Sequence, residues 1–337
     1  MTPNHTIIIA EAGVNHNGNE EMARRMIQVA RDAGADYVKF QTAVPELVIS
    51  AIAPKAAYQE ETTGTGQSQL DMCKAIHLPL SAYSGLAALC DSEGIKFLST
   101  PFDLVSIDCL ATLGMDYWKI PSGEITNLPY LRKIAAKGGK IIMSTGMSTL
   151  QEVEDAVNIL EAGGIIRKDI ALLHCNTQYP TPMSDVNLRA MESLRKLRTG
   201  MVGYSDHTVG IEVPVAAVAM GAQIIEKHFT LDKSLPGPDH RASLDPAELA
   251  EMVKAIRNIE QAIGSTQKHV SGSERPNIEV ARKSIVAARP IARGETLTED
   301  NITVKRPGNG ISPMKWDSVI GTKAVRDFDC DSLIELE

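Results

Sequence analysis

His207 and His228 each close a strand-like run, MVGYSDH and QIIEKH. Two imidazoles brought to one ion leave coordination positions for water and substrate, as a catalytic metal requires. Their separation of 21 residues is no metal signature by itself, and one capping and one packed histidine would read the same way. Glu226 lies two residues before His228. On a strand it therefore faces the same side, where a carboxylate can transfer protons. Lys39, Lys119, Thr100, Ser144 and Ser205 make a second set. Two ammonium groups with several hydroxyls suit a phosphate or a carboxylate; lysines salt-bridged around a rim are the plainer alternative. Tyr179 and Asp239 stand in the proline-rich segments YPTP and PGPD. Proline fixes φ, so such loops hold a side chain at low entropic cost. Both residues are candidate substrate contacts, and both also suit ordinary turns.

Residues so far apart in sequence need a scaffold that gathers them. Eight short runs alternate with helix-patterned stretches: Thr6–Ala10, Asp36–Gln41, Ile95–Thr100, Asp116–Ile120, Lys140–Ser144, Ile170–His174, Met201–Tyr204 and Gln223–His228. Continuous apolar runs are the mark of parallel strands buried on both faces, and β/α alternation means a parallel sheet. The fold class is therefore α/β, and eight units fit a (β/α)8 TIM barrel followed by a small domain. An open doubly wound sheet is the rival, but the chain has neither GxGxxG after its first strand nor GxxxxGK[ST] anywhere. In a barrel the strand ends line the active site. Those ends supply Glu11, Lys39, Gln41, Thr100, Lys119, Ser122, Glu124, Ser144, Thr145, His174, Thr177, Ser205, Asp206, His207, Glu226 and His228. His16 and His77 read as surface residues. Residues 43–77 read as a long polar loop at the same face, either a lid or a surface insertion.

The expected boundaries are a barrel over 1–264, a polar linker over 265–280 and a small domain over 281–337. Its strand-like runs are Ser284–Ala287, Ile302–Val304 and Leu333–Leu336. Between Arg282 and Lys323 this tail has eight Lys/Arg against four Asp/Glu, which suits either an anionic ligand or a solvated face.

Composition removes several function classes. With 34 Lys+Arg against 42 Asp+Glu the net charge is -8, which argues against a broad nucleic-acid face. Aromatics at 4% do not make a base-stacking platform. No apolar stretch is long enough to span a bilayer, and the N-terminus lacks the basic start of a signal peptide. Five scattered cysteines without a CxxC read as reduced thiols of a cytoplasmic protein.

Ten segments, in order, carry a family resemblance: AEAGVNHNG (10–18), VKFQT (38–42), STPFD (99–103), WKIPSGE (118–124), STGM (144–147), LLHCNTQYPTP (172–182), GYSDHT (203–208), IEKHFT (225–230), PGPDH (236–240) and KRPGNGIS (305–312). Together they resemble the sialic acid synthase family over nearly the whole chain. The resemblance implies a TIM barrel followed by an antifreeze-like (SAF) domain. It implies condensation of phosphoenolpyruvate with an N-acetylated hexosamine, releasing phosphate and a nine-carbon 2-keto acid. It also implies a divalent metal (Mn2+, with Mg2+ or Co2+ as substitutes) and a domain-swapped homodimer.

Carried onto this sequence, the metal ligands are His207 and His228. Phosphoenolpyruvate meets Lys39, Gln41, Thr100, Lys119, Ser144 and Ser205. The sugar meets Glu11, Tyr179, Asp239 and, from the partner subunit, the equivalent of Arg306. Glu226 and Glu11 are the catalytic acid/base candidates. Some members have Asn where Thr177 stands, so no role is carried over there. Residues 50–59 and 305–316 resemble bacterial N-acetylneuraminate synthases in particular. The expected reaction is N-acetylneuraminate synthesis from N-acetylmannosamine. The alternative is N,N'-diacetyllegionaminate synthesis from 2,4-diacetamido-2,4,6-trideoxymannose. A non-catalytic ligand- or ice-binding protein and a Schiff-base aldolase using Lys39 or Lys119 are the readings from other classes.

Overall fold

The computed structural model describes residues 5–336. Eight strands form one sheet: β1 (Ile7–Gly13), β2 (Tyr37–Thr42), β3 (Lys96–Pro101), β4 (Tyr117–Ile120), β5 (Lys140–Ser144), β6 (Ile170–His174), β7 (Val202–Asp206) and β8 (Ile224–His228). Their order is β3-β2-β1-β8-β7-β6-β5-β4, and every ladder is parallel. β3 and β4, at the two ends of that order, lie side by side without a ladder, so the sheet curls into a near-closed barrel. This is the expected TIM-like architecture.

The period of two along each strand sorts the side chains. Ile9, Tyr37, Leu98, Ile142, Leu173 and Ile224 point inward and pack together as a plug. Their neighbours Ile8, Val38, Phe97, Ile141, Leu172 and Ile225 point outward and pack under the helices. Above the plug, the next inward positions are polar. The barrel is narrow at the plug: a Cβ on Gly203, level with Leu173, would stand 2.2 Å from the Ile224 carbonyl oxygen. Gly13 has φ +53°, a region that disfavours side chains, and its backbone passes close to Gln41, Glu11 and His228.

The helices are well specified. Asn19 caps the helix Glu20–Asp32 by accepting from the Met22 N–H. Asp245 caps Pro246–Ile263 and forms a capping box with Glu248. The 43–77 stretch is more ordered than its composition predicts. It carries the short helices Pro45–Val48, Ala57–Thr63 and Gln69–Ile76. The buried Lys55 ammonium ties it together by donating to Thr63 Oγ1 at 3.0 Å and the Gly64 carbonyl at 2.8 Å. His16, expected at the surface, is fully buried and lies 6.0 Å from the Phe40 ring.

The chain divides into two compact units after Gly264. In the second, β9 (Ser284–Ala287) and β10 (Ile302–Lys305) pair antiparallel. Ile285, Ile291, Leu297, Ile302 and Phe328 form its core. Leu333–Leu336 is not a strand, since only an isolated bridge from Leu333 to Val286 forms. The expected linker is also not wholly extended, because a helix spans Arg275–Ala281. Among the described residues no helix is long and apolar enough to cross a membrane, and all five cysteines are free thiols.

Candidate active site

At the C-terminal end of the barrel the inward positions enclose a cavity of about 180 Å3. Glu11, Lys39, Gln41, Thr100, Lys119, Ser144, Thr177, Tyr179, Ser205, His207, Glu226 and His228 line it. The strand period explains the selection. Glu226 and His228 point in while Lys227 between them points out, as the two-residue spacing predicts. The same rule removes three strand-end residues. His174 points outward, bonds the Val186 carbonyl and packs on Tyr204. Thr145 donates to the Leu173 carbonyl. Asp206 pairs with Lys227 behind the sheet. Glu124 is only half-buried and is held by Asn127 outside the cavity.

The charges alternate. Lys39 Nζ donates to Thr100 Oγ1 at 2.9 Å and lies 2.8 Å from Glu11 Oε2. That second approach is off the hydrogen-bond direction, so Glu11 Oε2 is a buried oxygen with no hydrogen-bond partner. Gln41 Nε2 donates to Glu11 Oε1 at 3.2 Å. Lys119 Nζ donates to Ser144 Oγ at 2.7 Å. Ser205 Oγ donates to Glu226 Oε1 at 3.0 Å. Glu226 Oε2 stands 3.7 Å from Lys39 and 3.6 Å from Lys119, bonded to neither.

Burial and this pairing set the protonation states. Burial raises the Glu11 carboxyl to about 7, because the attraction of Lys39 only partly offsets it and Glu226 adds repulsion. Burial opposes ionisation of Glu226 too, but there the two ammonium groups win and hold it below the ordinary value. Burial pulls Lys119 down, with Glu226 opposing. Two neighbouring carboxyls pushed apart in this way fit a division into proton holder and fixed charge.

His207 and His228 lie with ring centroids 5.4 Å apart. Burial lowers His207 to about 4 and His228 well below the usual histidine range, so both are neutral near pH 7. His207 Nδ1 bonds the Asn176 carbonyl, which places the proton there and turns the Nε2 lone pair inward. Tyr179 donates its hydroxyl to that Nε2 at 2.9 Å. His228 Nδ1 is buried with no partner. Two neutral imidazoles with oriented or orphaned nitrogens fit a divalent metal. Among the described residues no group of three or more His, Cys, Asp or Glu is placed to share one, so water or substrate would complete the coordination.

Tyr179 stacks at 5.3 Å on Tyr58, from the 43–77 segment. Asp239 is nearly buried, and burial alone raises its carboxyl to about 6. It does not line the cavity itself, but its charge acts on both tyrosines. The folded carboxyl keeps its proton to about pH 6, whereas the unfolded one releases it near the ordinary 3.8. Unfolding between those values releases a proton, so stability falls as pH rises through that window. Asp239→Asn should therefore raise stability at pH 7.5 by on the order of 3 kcal/mol, with the gain shrinking as pH falls towards 4. Thermal melts at both pH values check this; an equal gain at each would be wrong for a titrating group.

Three contributors were not singled out from the sequence. Cys175 lines the cavity, with its Sγ 3.2 Å from Ser122 Oγ. Tyr58 backs Tyr179, and the Asn176 carbonyl orients His207. The strand period held the signal for Cys175, which continues the inward row of Ala171 and Leu173. Arg306 lies in the second unit, where it is exposed and donates Nε to the Ala281 carbonyl at 3.1 Å.

Comparison with known proteins places this geometry. Residues 282–335 match the SAF domain. The N,N'-diacetyllegionaminic acid synthase of Campylobacter jejuni is 52% identical, with 98% of each chain covered. The enzyme of the same name from Legionella pneumophila is 45% identical, over 94% of this chain and 89% of its own. A solved N-acetylneuraminic acid synthetase from Leptospira borgpetersenii is 35% identical, covering 82% of this chain and 91% of that one, with a TM-score of 0.70. The barrel itself, over residues 26–268, matches the NeuB family, and to that family the chain belongs.

Proposed function

We propose that this protein is an N,N'-diacetyllegionaminate synthase, condensing phosphoenolpyruvate with 2,4-diacetamido-2,4,6-trideoxymannose and releasing phosphate. The 52% identity to the Campylobacter jejuni relative over nearly both full lengths carries the choice of sugar. It displaces the expectation of N-acetylmannosamine, since the sialic acid relative above is only 35% identical. The test is phosphate release with each sugar in the presence of Mn2+. A higher kcat/KM with the diacetamido sugar is expected, and preference for N-acetylmannosamine would return the assignment to N-acetylneuraminate.

In this reading phosphoenolpyruvate sits among Lys39, Gln41, Thr100, Lys119, Ser144 and Ser205. The two ammonium groups balance a small trianion, and the hydroxyls orient its oxygens. The sugar lies towards Glu11, Tyr179 and Asp239. His207 and His228 would hold Mn2+, or Mg2+ or Co2+ in its place. Bound there, the ion supplies Lewis acidity to polarise the open-chain aldehyde. C3 of phosphoenolpyruvate then forms a bond to the aldehyde carbon. Glu11, poised near neutrality, gives its proton to the alkoxide oxygen so formed and, as the carboxylate, takes one from the water that adds at C2. Glu226, kept ionised by the lysines, stabilises positive charge developing at C2. Water adds at C2, and the tetrahedral intermediate loses phosphate by C–O cleavage.

We also read the working form as a domain-swapped homodimer. Leu47, Ile52, Met147, Met183 and Val209, on segments that follow the strands' C-terminal ends, are large exposed apolar side chains that a second copy would cover. Arg306 of one protomer would then contact the acetamido region of the sugar bound by its partner. Arg306→Ala should lower kcat/KM for the sugar about tenfold or more by loss of a charge-assisted contact. The fold should stay intact by circular dichroism. Unchanged turnover would remove that contact.

A further inference from the structure

Behind the sheet, on the side away from the cavity, Lys227 and Asp206 form an ion pair with both side chains wholly buried. Lys227 Nζ donates to Asp206 Oδ2 at 2.5 Å and to the Thr208 carbonyl oxygen at 2.5 Å. Thr208 Oγ1 lies 2.9 Å from both carboxylate oxygens, and the Thr208 N–H donates to Oδ1 at 3.1 Å. Burying two charges is costly, and a well-packed apolar pair of similar volume is often as stable or more so. Stability alone therefore does not account for the pair.

Its place in the chain does. Asp206 immediately precedes His207, and Lys227 immediately precedes His228. The β7–β8 ladder ends at the Asp206–Lys227 rung. His207 thus lies one residue past the last rung, where strand pairing no longer fixes its backbone relative to β8. The bond from Lys227 to the Thr208 carbonyl spans that step. One ammonium group on β8 grips the other chain segment on both sides of His207, through the carboxylate before it and the carbonyl after it. Thr208 closes the loop by bonding back to the carboxylate.

We propose that Lys227, Asp206 and Thr208 form a clamp that sets the separation of His207 and His228, and through it the affinity for the metal. This rests on the reading of those histidines as metal ligands. The three are positioning residues, because none lines the cavity.

The test is Mn2+ binding by electron paramagnetic resonance titration of the full chain, alongside thermal melts in metal-free buffer. His207→Ala examines the ligand reading on its own; unchanged Mn2+ affinity there removes the premise rather than the clamp. With that affinity lost, the double variant Asp206→Leu/Lys227→Met decides. It should still fold, with a melting temperature at or below that of the parent because the Thr208 carbonyl and N–H lose their partners, while Mn2+ binds about 10- to 100-fold more weakly. Thr208→Val keeps the ion pair and removes one hydroxyl, and should weaken Mn2+ binding about threefold, a fraction of that effect. Parental Mn2+ affinity in the folded double variant overturns the clamp. Should the double variant not fold, parental affinity in Thr208→Val does the same.

Discussion

Lys119→Met should lower kcat/KM for phosphoenolpyruvate by about a hundred- to several thousandfold, measured by phosphate release. Lys119 is nearly fully buried and reaches both Ser144 and the neighbourhood of Glu226. Removing one partner of a buried, hydrogen-bonded charge pair with a ligand costs roughly 3–5 kcal/mol of binding. At 1.36 kcal/mol per decade that range gives the stated factor. The pH profile adds a second sign. Glu226 keeps its lowered pKa because Lys119 and Lys39 together outweigh burial. Without Lys119 the carboxyl should rise, moving the acidic limb of kcat/KM to higher pH. A modest loss with an unmoved limb would place the phosphate elsewhere in the cavity.

EDTA should reduce turnover by at least about a thousandfold, with Mn2+ restoring it, if metal polarisation of the aldehyde supplies several kcal/mol. The two imidazoles are neutral near pH 7, so protons do not compete with the ion there. Full turnover after EDTA, together with trapping by borohydride, would instead move the chemistry to a Schiff base on Lys39 or Lys119.

The barrel was legible because its strands are buried on both faces and so appear as uninterrupted apolar runs. The predicted Lys140–Ser144 and Ile170–His174 coincide with β5 and β6. Most of the cavity was legible for a related reason, since barrel interiors end in polar residues on one side. The sidedness of single residues was less so. His174 is the more conspicuous functional residue, yet Cys175 beside it is the one that faces inward. Only counting by twos from Leu173 separates them. The helices at 45–48, 57–63 and 69–76 escaped because such short helices are marginal alone and depend on tertiary ties, here those of Lys55. The Leu333–Leu336 run failed as a strand because strand character needs a partner ladder, and only one bridge forms.

The polar cavity is assembled from two kinds of backbone. Lys39, Thr100, Lys119, Ser144, Ser205 and Glu226 stand on strands, locked by ladders and by the apolar plug beneath them. Tyr179, which lines the cavity, stands on a connecting segment, as do Tyr58 and Asp239, which act on it. Strand positions tolerate little change, because a shift of one residue reverses every side chain, whereas loops accept insertion and substitution. An ancestral barrel of this kind can therefore keep one donor substrate unchanged while its descendants exchange one acceptor for another. Relatives named for legionaminic and for neuraminic acid, at 52% and 35% identity to this chain, are what such a lineage would leave behind.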